Sequence, residues 1–411
     1  MVCSTTRQPV RPRRPGGALA ALLLVLCLGC LALAPLSSAW AAPDETSPPA
    51  ADPAAAESPA ADPAVPGELA LFPELADHRS FSRLVEGYPG APRNDVRAVY
   101  LTAASAANRE YLEHLFALAR ESELNALVID VKDNTGRTTY PSEVTAVQAA
   151  GTATDRIEDL AALFRLCEEN GIYTIGRLVM FADPGLANAR PDLAIQSAAG
   201  GVWRDHTGHG WTNPHAEEVW DYNLAIAREV ASLGCREIQF DYVRFPSDGK
   251  LDLIRYPIKT DRQRHEVIEA FLSRARRELA PYGVYTGADV FGLVTSFFID
   301  MNIGQILENV ARQVDFVCPM MYPSHYAKGN YGLPDPDADP YMTIRTGLQH
   351  ALARLDGWPD VTLRPWLQDF SWRHRYGPDE VRAQIRAAQE LGVGGYMLWN
   401  ARNVYTEEAM R

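Results

Sequence analysis

The chain is 411 residues long, 47% hydrophobic and 22% charged, with 52 acidic against 39 basic residues and a net charge of −13 at pH 7. That is enough apolar material for one large domain or two medium ones. Four arginines and no acids fall in the first 41 residues, so the remainder holds 35 basic against 52 acidic side chains, a balance of −17 that argues against a phosphate backbone as partner and excludes nucleic-acid binding.

Residues 1–41 read as a signal peptide. Arg7, Arg11, Arg13 and Arg14 form a basic head, Ala18 to Leu36 an apolar stretch, and Ala39-Trp40-Ala41 offers small residues where a signal peptidase cuts. The expectation is export to the periplasm, the cell envelope or the medium. An uncleaved anchor is the alternative, because the apolar run nearly reaches spanning length. A lipoprotein attached at Cys30 is weaker, since Cys27 stands where an aliphatic residue is expected. Residues 42–67 are almost entirely Ala, Pro, Asp, Glu and Ser, with a repeated Ala-Asp-Pro unit. Too little apolar surface exists there to offset ordering entropy, which predicts a disordered tether. Residues 68–93, containing "FSRLVEGYP", are expected to pack on the main domain as an extension. Cys167, Cys235 and Cys318, the three cysteines after the leader, lie in apolar segments and read as small buried hydrophobes.

From Asn94 onward, β-branched and aromatic runs alternate with helical patterns. The strands are "VRAVYLT", "ALVIDVKD", "IYTIGRLVMF", "EIQFDYVRFP", "VYTGADVFG", "VDFVCPMMYP", "TLRPWLQDF" and "VGGYMLWN". The helices are expected over 109–121, 156–170, 216–233, 262–279, 303–313, 342–355 and 378–391. Several end at a turn glycine: Gly171, Gly234, Gly283 and Gly392. Eight strand-helix units predict an α/β fold, a single (β/α)8 TIM barrel over residues 94–411. A doubly wound open sheet is disfavoured by the lack of a glycine-rich phosphate turn after the first strand.

In such a barrel the carboxyl ends of the strands carry the chemistry. The polar residues collect there: Asp130, Lys132 and Asp133 on strand 2, Arg177 on strand 3, Asp241 and Arg244 on strand 4, and Asp289 on strand 5. Strand 6 is followed by Tyr322 and His325, strand 7 ends in Trp366, Gln368 and Asp369, and strand 8 in Trp399 and Asn400. A lone charge after a strand is ordinarily a cap or half of an ion pair, but a whole rim of them points to a site. Asp241 and Asp289 end neighbouring strands, and two carboxyls across one pocket are what glycoside hydrolysis needs. Asp241 is expected to be the nucleophile and Asp289 the proton donor. Asp130, Lys132, Arg177 and Arg244 are the expected charged support, with Phe291 as the apolar neighbour that raises one carboxyl pKa.

The long third loop contains "GVWRDHTGHGWTNPH", where Trp203 and Trp211 are expected to stack on sugar and Asp205 and Asn213 to hydrogen-bond it. Tyr322, His325, Trp366, Gln368, Asp369, Trp399 and Asn400 complete the expected substrate-binding set. His206, His209 and His215 match no rigid metal motif, and "DPDAD" at 335–339 lacks the glycine and glutamate of a calcium loop, so no metal is assigned. Two carboxyls suffice for the reaction, so no cofactor is expected, and the partner is a carbohydrate. The rival reading is a non-catalytic glycan-binding barrel of the envelope. An amide-cleaving enzyme ranks lower, for want of a Ser-His-Asp or metal triad.

"VRAVYLTAASA", "LNALVIDVKDNTGRTTYPS", "EIQFDYVRFP", "GADVFG", "CPMMYPSHY" and "GVGGYMLWNARNVYT" resemble the bacterial putative glycosyl hydrolase domain family, from about Val96 to the C-terminus. The resemblance implies an eight-fold barrel related to alpha-amylase and alpha-galactosidase type hydrolases, and a carbohydrate-active enzyme. It implies a strand-4 nucleophile at the position of Asp241. The acid/base of the relatives sits on strand 5 or strand 6. Here strand 5 offers Asp289 in place of the glutamate of amylase-like relatives, and strand 6 offers no carboxylate.

Overall fold

The aliphatic runs form strands buried on both faces: in β2, Ala126–Lys132, every residue is buried. A strand with no solvated face belongs to a sheet wrapped by helices. The remaining strands are β1 (Arg97–Leu101), β3 (Tyr173–Val179), β4 (Glu237–Asp241), β5 (Tyr285–Phe291), β6 (Phe316–Met321), β7 (Trp366–Gln368) and β8 (Tyr396–Trp399). Each pairs in parallel with the next, and β8 pairs in parallel with β1, closing the cylinder. The molecule is a (β/α)8 barrel. This computed structural model describes residues 94–358 and 361–411. The leader, tether and extension expected over 1–93 lie outside the described residues.

Around the barrel run α1 (Arg109–Glu121), α2 (Leu160–Glu169), α3 (Glu217–Ser232), α4 (Arg264–Leu279), α5 (Leu307–Ala311), α6 (Pro340–Arg354) and α7 (Pro378–Gln389). Their starts are chemically marked. Asn108 and Asp159 accept from backbone amides of α1 and α2 at 3.1 and 2.8 Å, and Glu266 and Glu380 reach back to the residues before α4 and α7. The four expected turn glycines all have left-handed φ, between 66° and 102°.

Two apolar layers result. Ala98, Val128, Ile175, Phe316, Cys318, Trp366 and Met397 fill the barrel interior. Val99, Leu127, Ile129, Leu178, Ile238 and Phe240 face the helices and pack against side chains such as Leu115, Phe164, Val267 and Phe271. All three described cysteines are free and buried. Two departures from the regular strand pattern bear on the site. β4 stops at Asp241 because Tyr242 adopts a left-handed φ of 51°. In β2 the register slips between Asp130 and Lys132, which decides where Lys132 points.

Candidate active site

β4 alternates Ile238 and Phe240 toward the helices with Glu237, Gln239 and Asp241 toward the barrel axis, the period-two consequence of the pleat. Arg177 on β3 sits at the centre of the upper end. Its Nε and Nη2 donate to Asp241 Oδ2 at 2.9 and 2.6 Å, and its Nη1 donates to Asp130 Oδ1 at 2.6 Å. Nη2 also reaches Asn134 Oδ1 at 3.1 Å. The Tyr100 hydroxyl holds the other oxygen of Asp130 at 2.6 Å. Burial works against the Arg177 charge, but Asp241 and Asp130 outweigh it and hold the guanidinium protonated more firmly than usual. Burial raises the pKa of Asp130 despite that partner.

Asp289 is bound differently. Trp366 Nε1 and Gln239 Nε2 both donate to its Oδ1, at 2.7 and 2.5 Å, while its Oδ2 is buried with no hydrogen-bond partner. Burial first, then the negative charge of Asp241, pushes its pKa well above the ordinary carboxylate range. Phe240 is paired with Ala288, so one residue later Asp241 and Asp289 stand side by side on strands about 5 Å apart. Tyr322 completes this floor, its hydroxyl pKa raised by burial and by both carboxylates. Half-buried Tyr242, Phe291 and Trp399 form the rim. Trp399 stacks on Tyr100 at 4.2 Å, and Arg177 lies 5.3 Å from the Trp399 ring centre.

Asp130, Arg177, Asp241, Asp289, Tyr322, Trp366 and Trp399 therefore converge. Lys132 does not. The slip in β2 turns it outward, where its ammonium donates to Val179 O at 2.7 Å and Asn223 Oδ1 at 2.9 Å and pairs with Asp183 at 2.6 Å, both side chains fully buried. It ties β2 and β3 to α3 and cannot support the carboxylates. Arg244 lies 4.6–5.1 Å from the rings of Trp211, Tyr242 and Phe291 and donates to Phe245 O and Ser247 Oγ, so it stiffens a wall of the site.

The expected stacking faces of Trp203 and Trp211 are covered, leaving 2% and 1% of the residues exposed. Gln196–Ser197 and Ile254–Arg255 pair as an antiparallel ribbon that lashes the loops after β3 and β4 together. Inside this assembly Trp203 donates to Lys250 O at 2.9 Å and Trp211 to Asp205 Oδ2 at 3.0 Å. Asn213 is likewise internal, donating to Ile258 O and accepting from His215 N. Gln368 accepts from Ser324 N and donates to Phe370 O; Asp369 accepts from the Thr406 amide and hydroxyl; Asn400 donates to Asp369 O and Val404 O. These three brace loops. His325 is half-buried on the rim, its pKa lowered to about 4 by burial and by Arg373.

His206 pairs with Asp248 at 2.5 Å, whereas His215 packs between Phe245 and Tyr256, each at 5.4 Å, so these histidines do not converge. Asp335 accepts from Asp337 N and Asp339 caps α6, which accounts for the "DPDAD" run as turn and cap. Among the described residues no group of three or more His, Cys, Asp or Glu is placed to hold a metal ion. Sequence reasoning missed Tyr100, Asn134, Gln239 and Tyr242. The signal for Tyr100 and Gln239 was their phase, polar groups at inward positions of otherwise apolar strands; nothing local marked Tyr242.

Residues 98–405 match the family described as "Putative glycosyl hydrolase domain". A hypothetical protein from Ruminiclostridium thermocellum is similar at 37% identity and a TM-score of 0.44, over 47% of this chain and 97% of that one. The glycoside hydrolase domain of PgaB (BpsB) from Bordetella bronchiseptica shares the fold, with a TM-score of 0.56 at 14% identity over 74% of this chain and 94% of that one. TtGalA, the alpha-galactosidase of Thermus thermophilus, aligns at 16% identity and a TM-score of 0.46 over 80% of this chain and 62% of its own. No curated protein matches the chain.

Proposed function

The chain belongs to the glycosyl hydrolase domain family that it matches over residues 98–405, and we propose that it cleaves a glycosidic bond with Asp289 as proton donor and Asp241 as nucleophile. One observation carries the assignment of roles: two neighbouring carboxyls in opposite environments. Asp241 faces a permanently charged guanidinium, while Asp289 has two donors on one oxygen and none on the other. A carboxyl whose pKa is raised by burial and by a like charge keeps its proton, and that proton resides on the oxygen without a donor. Oδ2 of Asp289 gives it to the leaving oxygen as the glycosidic C–O bond breaks. A carboxylate oxygen of Asp241 attacks the anomeric carbon, giving a glycosyl ester. Forming that ester removes the negative charge that raised the Asp289 pKa, so Asp289 can then take a proton from the water that releases Asp241. Adjacent strands favour the short carboxyl separation of retaining enzymes.

Arg177 matches the Asp241 charge, Asp130 and Tyr100 hold Arg177 in place, and Tyr322, Trp399 and Tyr242 face the sugar. The substrate is a polysaccharide or envelope glycan. Residues 1–41, read as a signal peptide, support export to the periplasm, the cell envelope or the medium; no helix among the described residues is long and apolar enough to cross a membrane.

The test is leaving-group dependence. Asp241→Asn should lose turnover on every substrate. Asp289→Asn should fall by on the order of a hundred- to ten-thousandfold on oligosaccharides but far less on nitrophenyl glycosides, whose leaving group needs no protonation. Proton NMR of the first product should show retained configuration. An Asp241→Asn protein with full turnover would sink the assignment, and one that only binds glycan, with a wild type that does the same, would indicate a binding barrel.

A further inference from the structure

The aromatic residues over the carboxyls do not stop at the rim. Trp399 lies 6.5 Å from Tyr322, Tyr322 lies 5.3 Å from His325 and 5.9 Å from Phe370, and His325 lies 5.3 Å from Trp372, all between ring centres. Tyr322 is buried, Trp399, Phe370 and His325 are half-buried, and Trp372 is 44% exposed. The rings make a continuous path from the catalytic floor outward across the loops after β6 and β7.

An exposed tryptophan on a loose loop would carry no argument. This loop is fixed. Arg373 donates to Ser324 O at 2.6 Å and Tyr326 O at 3.1 Å, tying the β7 loop to the β6 loop. Ser371 Oγ accepts from Tyr376 N at 3.0 Å, and Asp337 accepts from His374 N at 3.1 Å. His325 is neutral above pH about 4, so it presents an uncharged ring rather than a cation. A rigid apolar face held in water costs solvation without aiding the core, and a ligand that covers it recovers that cost with little ordering entropy.

The geometry points to an extended glycan-binding strip, with Trp372 as its distal platform, that takes several sugar units beyond the bond to be cleaved. The substrate is then a glycan chain rather than a simple glycoside. The inference rests on the glycoside-hydrolase reading and adds a direction: the chain leaves the carboxyls across the β6 and β7 loops. Pyranose rings suit it because their C–H faces are apolar while their edges hydrogen-bond, matching flat rings that alternate with polar loop atoms.

The probe is a graded series, mono- to hexasaccharide, of glucan, chitin and galactan oligomers, titrated against the Asp241→Asn protein by calorimetry. Affinity is expected to rise with chain length in the series that binds. Trp372→Ala in that background should abolish the rise, about tenfold at the hexasaccharide, and Trp372→Phe should restore most of it. Thermal melting verifies that both variants are folded. A length dependence that survives Trp372→Ala overturns the strip, and so does the absence of any gain with length, including no binding at all. Neither result touches the catalytic reading, which stands or falls on the turnover of Asp241→Asn.

Discussion

Asp289 Oδ2 is buried without a partner, a state that is costly for an ionised carboxylate and tolerable for a protonated one. Its folded pKa is raised, so the linkage sign is fixed: the contribution of this group to stability is fully present below the ordinary carboxylate pKa, about 4, and is lost as pH rises through the folded value. Asp289→Asn keeps the Oδ1 acceptor for Trp366 and Gln239 and cannot ionise. The variant should melt at the same temperature as wild type at acidic pH and progressively higher than wild type as pH rises, while its turnover of oligosaccharides is lost. Parallel melting profiles across pH would show that the site does not hold this carboxyl neutral. If Asp289 is the proton donor, the alkaline limb of kcat/KM should belong to it and should be absent from the residual activity of Asp289→Asn on nitrophenyl glycosides.

The loops show how elements rather than single residues build the site. Asp369 receives the amide and hydroxyl of Thr406 at 2.8 and 2.6 Å, and Asn400 spans Asp369 O and Val404 O, both at 2.6 Å. These bonds hold the segment after β8 against the segment after β7. If Asp369 acts through this brace, then Thr406→Val, which touches no substrate, should reproduce Asp369→Asn: about 1 kcal/mol of stability and a similar rise in KM with kcat nearly kept. A loss of kcat specific to Asp369→Asn would restore it to the substrate contacts. The eight strands, their helices and the gathering of charge at the strand ends were legible in the sequence, because burial on two faces leaves an unbroken apolar run and polar groups survive only where it ends. The direction of each end residue was not. Lys132 follows Asp130 by two and would share its face, but the register slip in β2 sends it to Asp183 and Asn223. Trp203 and Trp211 read as platforms, but the ribbon joining two distant loops closes over them. Both depend on contacts between segments far apart in sequence.

Across the whole barrel the interior is charged at two levels. β4 places Glu237, Gln239 and Asp241 one above another, and the lowest of these is clamped by Arg364, whose Nη1 lies 2.8 and 2.9 Å from its two oxygens. Both side chains are fully buried, with Arg364 held 3.5 Å over the Phe316 ring and Tyr173 donating to Glu237 at 3.2 Å. Burial raises the Glu237 pKa in spite of that partner. Gly287 leaves room for the carboxylate: a Cβ there would stand 3.2 Å from Glu237 Oε1. The lower pair ties β4 to the Arg364-Pro365 step between Leu363 and Trp366, so it fixes where the β7 backbone carries Trp366, one of the two donors to Asp289. Removing one partner strands a buried charge: Arg364→Met should cost about 3–5 kcal/mol, whereas Glu237→Leu with Arg364→Met should recover most of that loss. The two levels differ in what the recovered protein can do. An apolar pair at the lower level should restore both stability and turnover, provided Trp366 keeps its place. If Asp241 is the nucleophile, as proposed, no apolar substitution at Asp241 and Arg177 should restore turnover, because the reaction would need the charge itself. Urea unfolding and kcat/KM measured on the same double variant separate these outcomes. A stable Glu237→Leu/Arg364→Met protein without activity would show that the lower pair also sets the position of Trp366 or the electrostatics of the carboxyls above it.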